Sequence, residues 1–134
     1  MFTEEMVKKV SGYFSIVEDV QQAYQGAYAI ERKSAQGEMG LFFKDQRGGS
    51  LLCLVVWYEL WMRYQDPLWY GVCRDWDVRV VSRFAEHNAA GLVEYAGYRL
   101  CPVDQRLLAR ESCREELKVL LDAQLAVLSE AGAE

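Results

Sequence analysis

The stretch that most limits how this chain can fold is SLLCLVVWYELWMRYQDPLWYGVC, residues Ser50–Cys73. It opens with an apolar run from Leu51 to Tyr58. A run of that length without alternation is the pattern of a strand in the middle of a sheet, covered on both faces. The stretch also holds three of the four tryptophans (Trp57, Trp61, Trp69) and three of the eight tyrosines (Tyr58, Tyr64, Tyr70). Each such ring buries about 150–250 Å², so burial energy should concentrate here. Leu68–Cys73 reads as a second strand, parted from the first by Gln65-Asp66-Pro67. Proline donates no hydrogen bond and restricts the residue before it. Tyr58–Tyr64 fits either an extension of the strand or one or two helical turns.

The flanking chain supplies the rest of the expected fold. Thr3 is placed to cap a first helix, with Met6, Val7, Val10, Tyr13, Phe14, Val17, Val20 and Tyr24 on its apolar face. Gly12 weakens that helix by about 1 kcal/mol relative to alanine. Gly26 marks its end. Tyr28–Lys33 fits a continuation of the helix or the start of a strand, with an irregular or helical continuation preferred, and Ser34–Gly40 reads as a loop broken at Gly37 and Gly40. Leu41–Lys44 and Leu51–Trp57 then form a hairpin across the turn DQRGGS.

After the aromatic segment, Asp75 or Asp77 caps a helix running to about His87, with Trp76, Val80, Val81 and Phe84 facing inward. Leu92–Tyr95 and Tyr98–Val103 make a hairpin around Ala96-Gly97, and Pro102 marks an edge or a strand end. Asp104 caps a short turn, and Ser112 with Glu115 forms a capping box for a last helix. That helix carries Leu117, Leu120, Leu121, Leu125 and Leu128 on one stripe and stops at Gly132. The order is helix, three strands, helix, two strands, helix. Tight turns favour antiparallel pairing, so the expectation is one α+β domain over residues 1–134, with a mostly antiparallel sheet of five strands.

Composition narrows the function classes. The apolar fraction of 51% and aromatic fraction of 13% describe a globular chain. A net charge of −5 disfavours direct nucleic-acid binding, which needs a basic face to release counterions. MFTEEMVKK has acidic residues where a signal peptide is basic, and no stretch approaches the ~20 apolar residues of a membrane span. Cys53, Cys73, Cys101 and Cys113 have no CxxC spacing. They read as reduced thiols in a cytoplasmic protein.

Motifs with a chemical mechanism are sparse. His87 is the only histidine, and no nucleophile or orienting acid lies at a recognisable spacing from it. One histidine and scattered cysteines argue against structural zinc, and no cofactor is implied. Gly48-Gly49-Ser50 lacks the lysine and following helix of a phosphate loop. Glu31-Arg32-Lys33 places a carboxylate and a lysine where, on a strand, they would share a face. That pair could serve a metal-dependent nuclease if a second carboxylate converged on it; the nearest upstream aspartate, Asp19, sits in a predicted helix.

The aromatic segment divides between core and surface. Six large rings in a short stretch are hard to bury completely in a small domain. Tryptophan, tyrosine and arginine are also the residues that dominate binding hot spots. Trp57, Tyr58, Trp61, Arg63, Tyr64, Trp69, Tyr70 and Arg74 are therefore the candidate binding residues.

Leu41-Phe42-Phe43-Lys44, Val56-Trp57-Tyr58, Pro67-Leu68-Trp69-Tyr70-Gly71-Val72 and Pro102 before a long amphipathic helix follow one another in that order. This succession resembles a small α+β module that follows the catalytic domain in some PD-(D/E)XK-like nuclease proteins. The likeness covers about two-thirds of the chain and rests on structural, aromatic motifs. It implies an accessory or recognition role and transfers no catalytic residue. The expected function is thus a non-enzymatic binding module for a protein partner or a second copy of itself. The alternatives are a small nuclease-like enzyme using Glu31 and Lys33, or a small-ligand pocket.

Overall fold

The computed structural model describes residues 4–35 and 38–133; the expected cap Thr3 and breaker Gly37 lie outside them. The class is α+β. An antiparallel six-stranded sheet is assembled from β1 (Ala29–Ala35), β2 (Glu38–Lys44), β3 (Ser50–Trp57), β4 (Leu68–Cys73), β5 (Val93–Tyr95) and β6 (Tyr98–Pro102). Their spatial order is β1-β2-β3-β4-β6-β5. The helices are α1 (Glu4–Ala23), α2 (Tyr58–Tyr64), α3 (Val78–His87), α4 (Gln105–Leu108) and α5 (Cys113–Ala133).

The extra strand is β1, where an irregular or helical continuation was preferred; it runs on through Ser34 and Ala35, and β2 begins at Glu38, so Gly40 lies within a strand and is not the expected breaker. Its sequence, AIERKSA, has one large apolar residue and three charges, a poor strand by propensity. It is an edge strand, and charged side chains are what keep an exposed edge from pairing with other chains. Register with β2 decides its structure: Ile30 faces Phe43, while Glu31 and Lys33 face Phe42 and Gly40 on the other side.

The Leu51–Trp57 run does lie in mid-sheet, with β2 and β4 on either side. Leu52, Leu54 and Val56 point toward α1, α3 and α5, and Cys53 and Val55 point the opposite way. A bulge between Phe43 and Lys44 breaks the alternation, so Leu51 also joins the helix-side core, where it lies beside Gly132 of α5. Leu117, Leu121, Leu125 and Leu128 of α5 are all fully buried. Each such leucine contributes about 1.5–3 kcal/mol of burial.

The local signals resolve as follows. Asp77, not Asp75, caps α3: its carboxylate accepts from the Arg79 N–H at 2.9 Å. Trp76 precedes that helix and is half-buried between the two sheet faces, against Phe42 at 6.2 Å. Ser112 pairs with Glu116 rather than Glu115, its hydroxyl donating to that carboxylate at 2.8 Å. Ala96 (φ 51°) and Gly97 (φ 84°) both take left-handed backbone, the turn that matches the twist of a two-residue hairpin. Pro102 closes β6 and is not on the sheet's edge. The Val103 N–H donates to the Leu68 carbonyl, so the missing donor of Pro102 faces away from β4, where β5 has already ended.

The sheet is strongly coiled. Along β3, Trp57 stands six residues from the register row that holds Cys73 and Tyr98. In a flat sheet that is about 20 Å along the strands and about 10 Å across them. The Trp57 and Tyr98 rings nevertheless meet at 5.9 Å. The β5–β6 hairpin therefore folds over the face opposite α1, α3 and α5. Gly71 permits this, because a Cβ there would lie 2.0 Å from the Arg99 carbonyl oxygen of β6.

Candidate functional site

The coiling produces two cores of different kind. The helix side is filled by leucines and valines together with the buried rings of Tyr24, Phe43, Tyr70 and Phe84, and α1, α3 and α5 close it. The opposite side holds Cys53, Val55, Trp69 and Leu100 with Leu60 of the short helix α2, and the rest of its cover comes from half-buried aromatic rings. Trp57 packs edge-on against Tyr95 at 5.1 Å and against Tyr98 at 5.9 Å. Between these rings and β2 lies a cleft of about 290 Å³. Its floor is the cross-strand pair Gly40 and Val55, its walls are Phe42, Trp57 and Tyr98, and Lys33, Ser34 and Glu38 stand at its rim.

Each wall is held by identifiable contacts. Glu59 and Arg63 of α2 clasp the overhanging hairpin. The Tyr95 hydroxyl donates to the Glu59 carboxylate, and the Arg63 guanidinium sits 5.5 Å above the Tyr95 ring. That hydrogen bond to Glu59, followed by burial, raises the Tyr95 phenol above its ordinary value. Burial is the larger cause for Tyr98, with the Cys53 and Cys73 thiols and the Glu38 carboxylate adding to it. Both phenols are therefore neutral hydrogen-bond donors near pH 7. Among the described residues, the Trp57 indole N–H is the one buried side-chain polar atom with no hydrogen-bond partner. Leaving such a donor unsatisfied costs about 1–3 kcal/mol.

The predicted binding residues do not form one surface. Trp57 lines the cleft, and Arg63 reaches it through Tyr95. Tyr58 is half-buried at the start of α2, and Trp61 packs against Tyr13 of α1 at 5.4 Å. Tyr64 is 39% exposed and lies against Trp69 at 5.5 Å, with Met62 53% exposed beside it in the chain. Arg74 is exposed, at the turn where its N–H meets the Gly97 carbonyl. Trp69 and Tyr70 are core residues on opposite faces, because neighbouring strand residues point opposite ways. Trp69 is 1% exposed, its indole N–H donating to the Asp66 backbone carbonyl at 2.7 Å. Tyr70 packs on Phe84 of α3 at 6.1 Å.

Lys33, Ser34, Glu38, Met39, Gly40, Phe42 and Tyr98 line the cleft from outside the aromatic segment, and Tyr95 supports it by packing on Trp57. The two tyrosines straddle the Ala96-Gly97 turn and pair across it. That symmetry is visible in the sequence, but their meeting with Trp57 is not.

Other reactive groups have ordinary surroundings. Glu31 is bound by Lys44 at 2.7 Å and Lys33 at 3.8 Å, and Lys44 first, then Lys33, hold its carboxyl below the usual range. Asp19 is engaged by Arg114 of α5. No group of three or more histidine, cysteine or acidic residues able to hold a metal occurs among the described residues. Burial pushes the Cys53 thiol up to about 12 and the Cys101 thiol up to about 11, so neither is an activated nucleophile. His87 is exposed at the end of α3. No helix among the described residues is long and apolar enough to cross a membrane.

No family model, no curated protein and no solved structure matches this chain.

Proposed function

We propose that this chain is a non-enzymatic recognition module of the cytoplasm that engages a protein partner. Its working surface is the aromatic cleft together with the exposed side of α2. The observation that carries this reading is the sheet face opposite α1, α3 and α5, which only the short α2 reaches and which the hairpin closes into a cleft walled by Phe42, Trp57 and Tyr98. Covering a sheet face with a helix is the ordinary way to bury it. Here the rest of that cover comes from rings that remain partly exposed. Met62 and Tyr64 add side chains of the kind enriched at interface centres, and Arg63 ties their helix to the cleft. Such a role agrees with that of an accessory module acting beside a catalytic protein.

Binding partners retained by the immobilised chain should be lost from both Trp57→Ala and Met62→Glu. The melting temperature and circular dichroism spectrum of each variant show whether it remains folded. Retention of the same partners by two folded variants overturns the proposal. A second reading, a small-ligand site, draws on the cleft itself, about 290 Å³ of space walled by aromatic rings with a few polar groups at its rim. A thermal-shift screen in which one compound class stabilises the wild type, and not Trp57→Ala, supports that reading.

A further inference from the structure

The cleft has a chemical polarity that its aromatic walls alone do not explain. The Trp57 and Tyr98 rings stand at 89° to each other, with centroids 5.9 Å apart, and make two perpendicular walls. Phe42 closes a third side. Glu38 is the cross-strand partner of Trp57, which places the two Cβ atoms about 4.5–5.5 Å apart. Glu38 is half-buried at the rim, and no hydrogen bond or ion pair reaches its carboxylate among the described residues. Its charge is felt at both Tyr98 and Tyr95, which puts it on the mouth of the cleft.

Ring faces carry negative potential and attract cations, and a carboxylate beside them adds a full charge. One cation already uses this surface: the Lys33 ammonium sits 5.0 Å from the centroid of Phe42. Its side chain is 63% exposed and its ion pair with Glu31 is long, at 3.8 Å, so it is easily displaced outward.

We propose that the cleft receives an ammonium group, carried on a lysine side chain of the partner protein and set between the Glu38 carboxylate and the rings of Phe42, Trp57 and Tyr98. This rests on the recognition reading above and names the group recognised. A chain of net charge −5 also draws basic partners by its overall field. The aliphatic stem of a lysine suits the apolar floor of Gly40 and Val55, and its head reaches the rim.

The probes are N-acetyl-lysine methylamide, its ε-trimethylated form, the neutral norleucine analogue and the glutamate analogue. The readout is the Trp57 indole N–H resonance in nitrogen–proton correlation spectra, assigned by its disappearance in Trp57→Phe. Both ammonium probes should move this resonance, and the neutral and acidic probes should not. Glu38→Gln should weaken binding about tenfold, as expected when a charged partner of the cation is removed. Lys33→Ala should tighten it, because a competing cation is gone. Tighter binding of the glutamate analogue, weakened by Lys33→Ala, overturns the proposal in favour of an anion site. Equal binding of norleucine and lysine overturns it while leaving the cleft a recognition site. No movement of the Trp57 signal with any probe at millimolar concentration overturns it as well. Failure of the recognition reading itself is scored separately, by partner retention in Trp57→Ala.

Discussion

Gly71→Ala tests the coiling on which the whole cleft depends. The added methyl would stand 2.0 Å from the Arg99 carbonyl oxygen and 2.9 Å from both the Arg99 carbonyl carbon and the Leu100 Cα. All three are backbone atoms of β6, so no side-chain rotation relieves the clash. Strand β6 must retreat by more than about 1 Å to restore a normal contact. Forced expansion of a packed site costs about 1–3 kcal/mol. Parting β4 from β6 at the Gly71–Leu100 row also strains one or two ladder hydrogen bonds, each worth about 0.5–1.5 kcal/mol. The expected loss is therefore about 2–5 kcal/mol, a large part of the stability of a domain this size. Urea denaturation followed by circular dichroism measures it. Two other glycines calibrate the result. At Gly40 the nearest atoms are side-chain carbons, Val55 Cγ1 at 3.0 Å and Phe42 Cε1 at 3.2 Å, and Gly40→Ala should cost less than about 1.5 kcal/mol. At Gly12, in the open on α1, nothing lies within 4 Å, and Gly12→Ala should stabilise by up to about 1 kcal/mol. If Gly71→Ala falls within about 0.5 kcal/mol of wild type, β6 does not cross β4 as described and the coiling argument fails.

Two further perturbations probe other parts of the fold. Asn88 and Gln124 exchange amide hydrogen bonds at 2.9 and 2.8 Å, and Gln124 is 7% exposed. Asn88→Ala strands that buried amide and should cost about 2–3 kcal/mol in chemical denaturation. Adding Gln124→Leu should recover part of the loss, and a double variant no more stable than the single would refute this account. The Asp77 carboxyl is held down to about 2 by the Arg79 side chain and then by the Arg79 backbone N–H. A depressed folded value means that this stabilisation is complete above about pH 4, the unfolded value, and is lost as pH falls toward 2. Melting temperature measured across that range should fall less steeply in Asp77→Asn than in the wild type; parallel curves would count against the assignment.

The residues differ in how much of their fate they carry locally. The run Leu51–Trp57 is apolar at every position, and burial on both faces leaves it no stable place except mid-sheet. Asp77, Asp104 and the Ala96-Gly97 turn act over a few residues through caps and left-handed backbone, so they too were legible. β1 was not. Its charged sequence becomes a strand only because β2 offers a complete row of partners, and those partners lie beyond the turn. The division of the aromatics was equally hidden. Trp69 and Tyr70 differ from Trp57 not in type but in position: they stand mid-sheet, and Trp57 stands at a strand end.

The cleft belongs wholly to tertiary structure. Gly40, Phe42, Trp57 and Tyr98 span almost sixty residues of chain, and Glu38 comes beside Trp57 only through the pairing of β2 with β3. Sheet class, core stripe and aromatic weight follow from short-range periodicity and hydrophobicity, which any window of the chain displays. Which rings stay at the surface follows from twist, accumulated strand by strand and released at Gly71, and a property that accumulates across a sheet has no local signature.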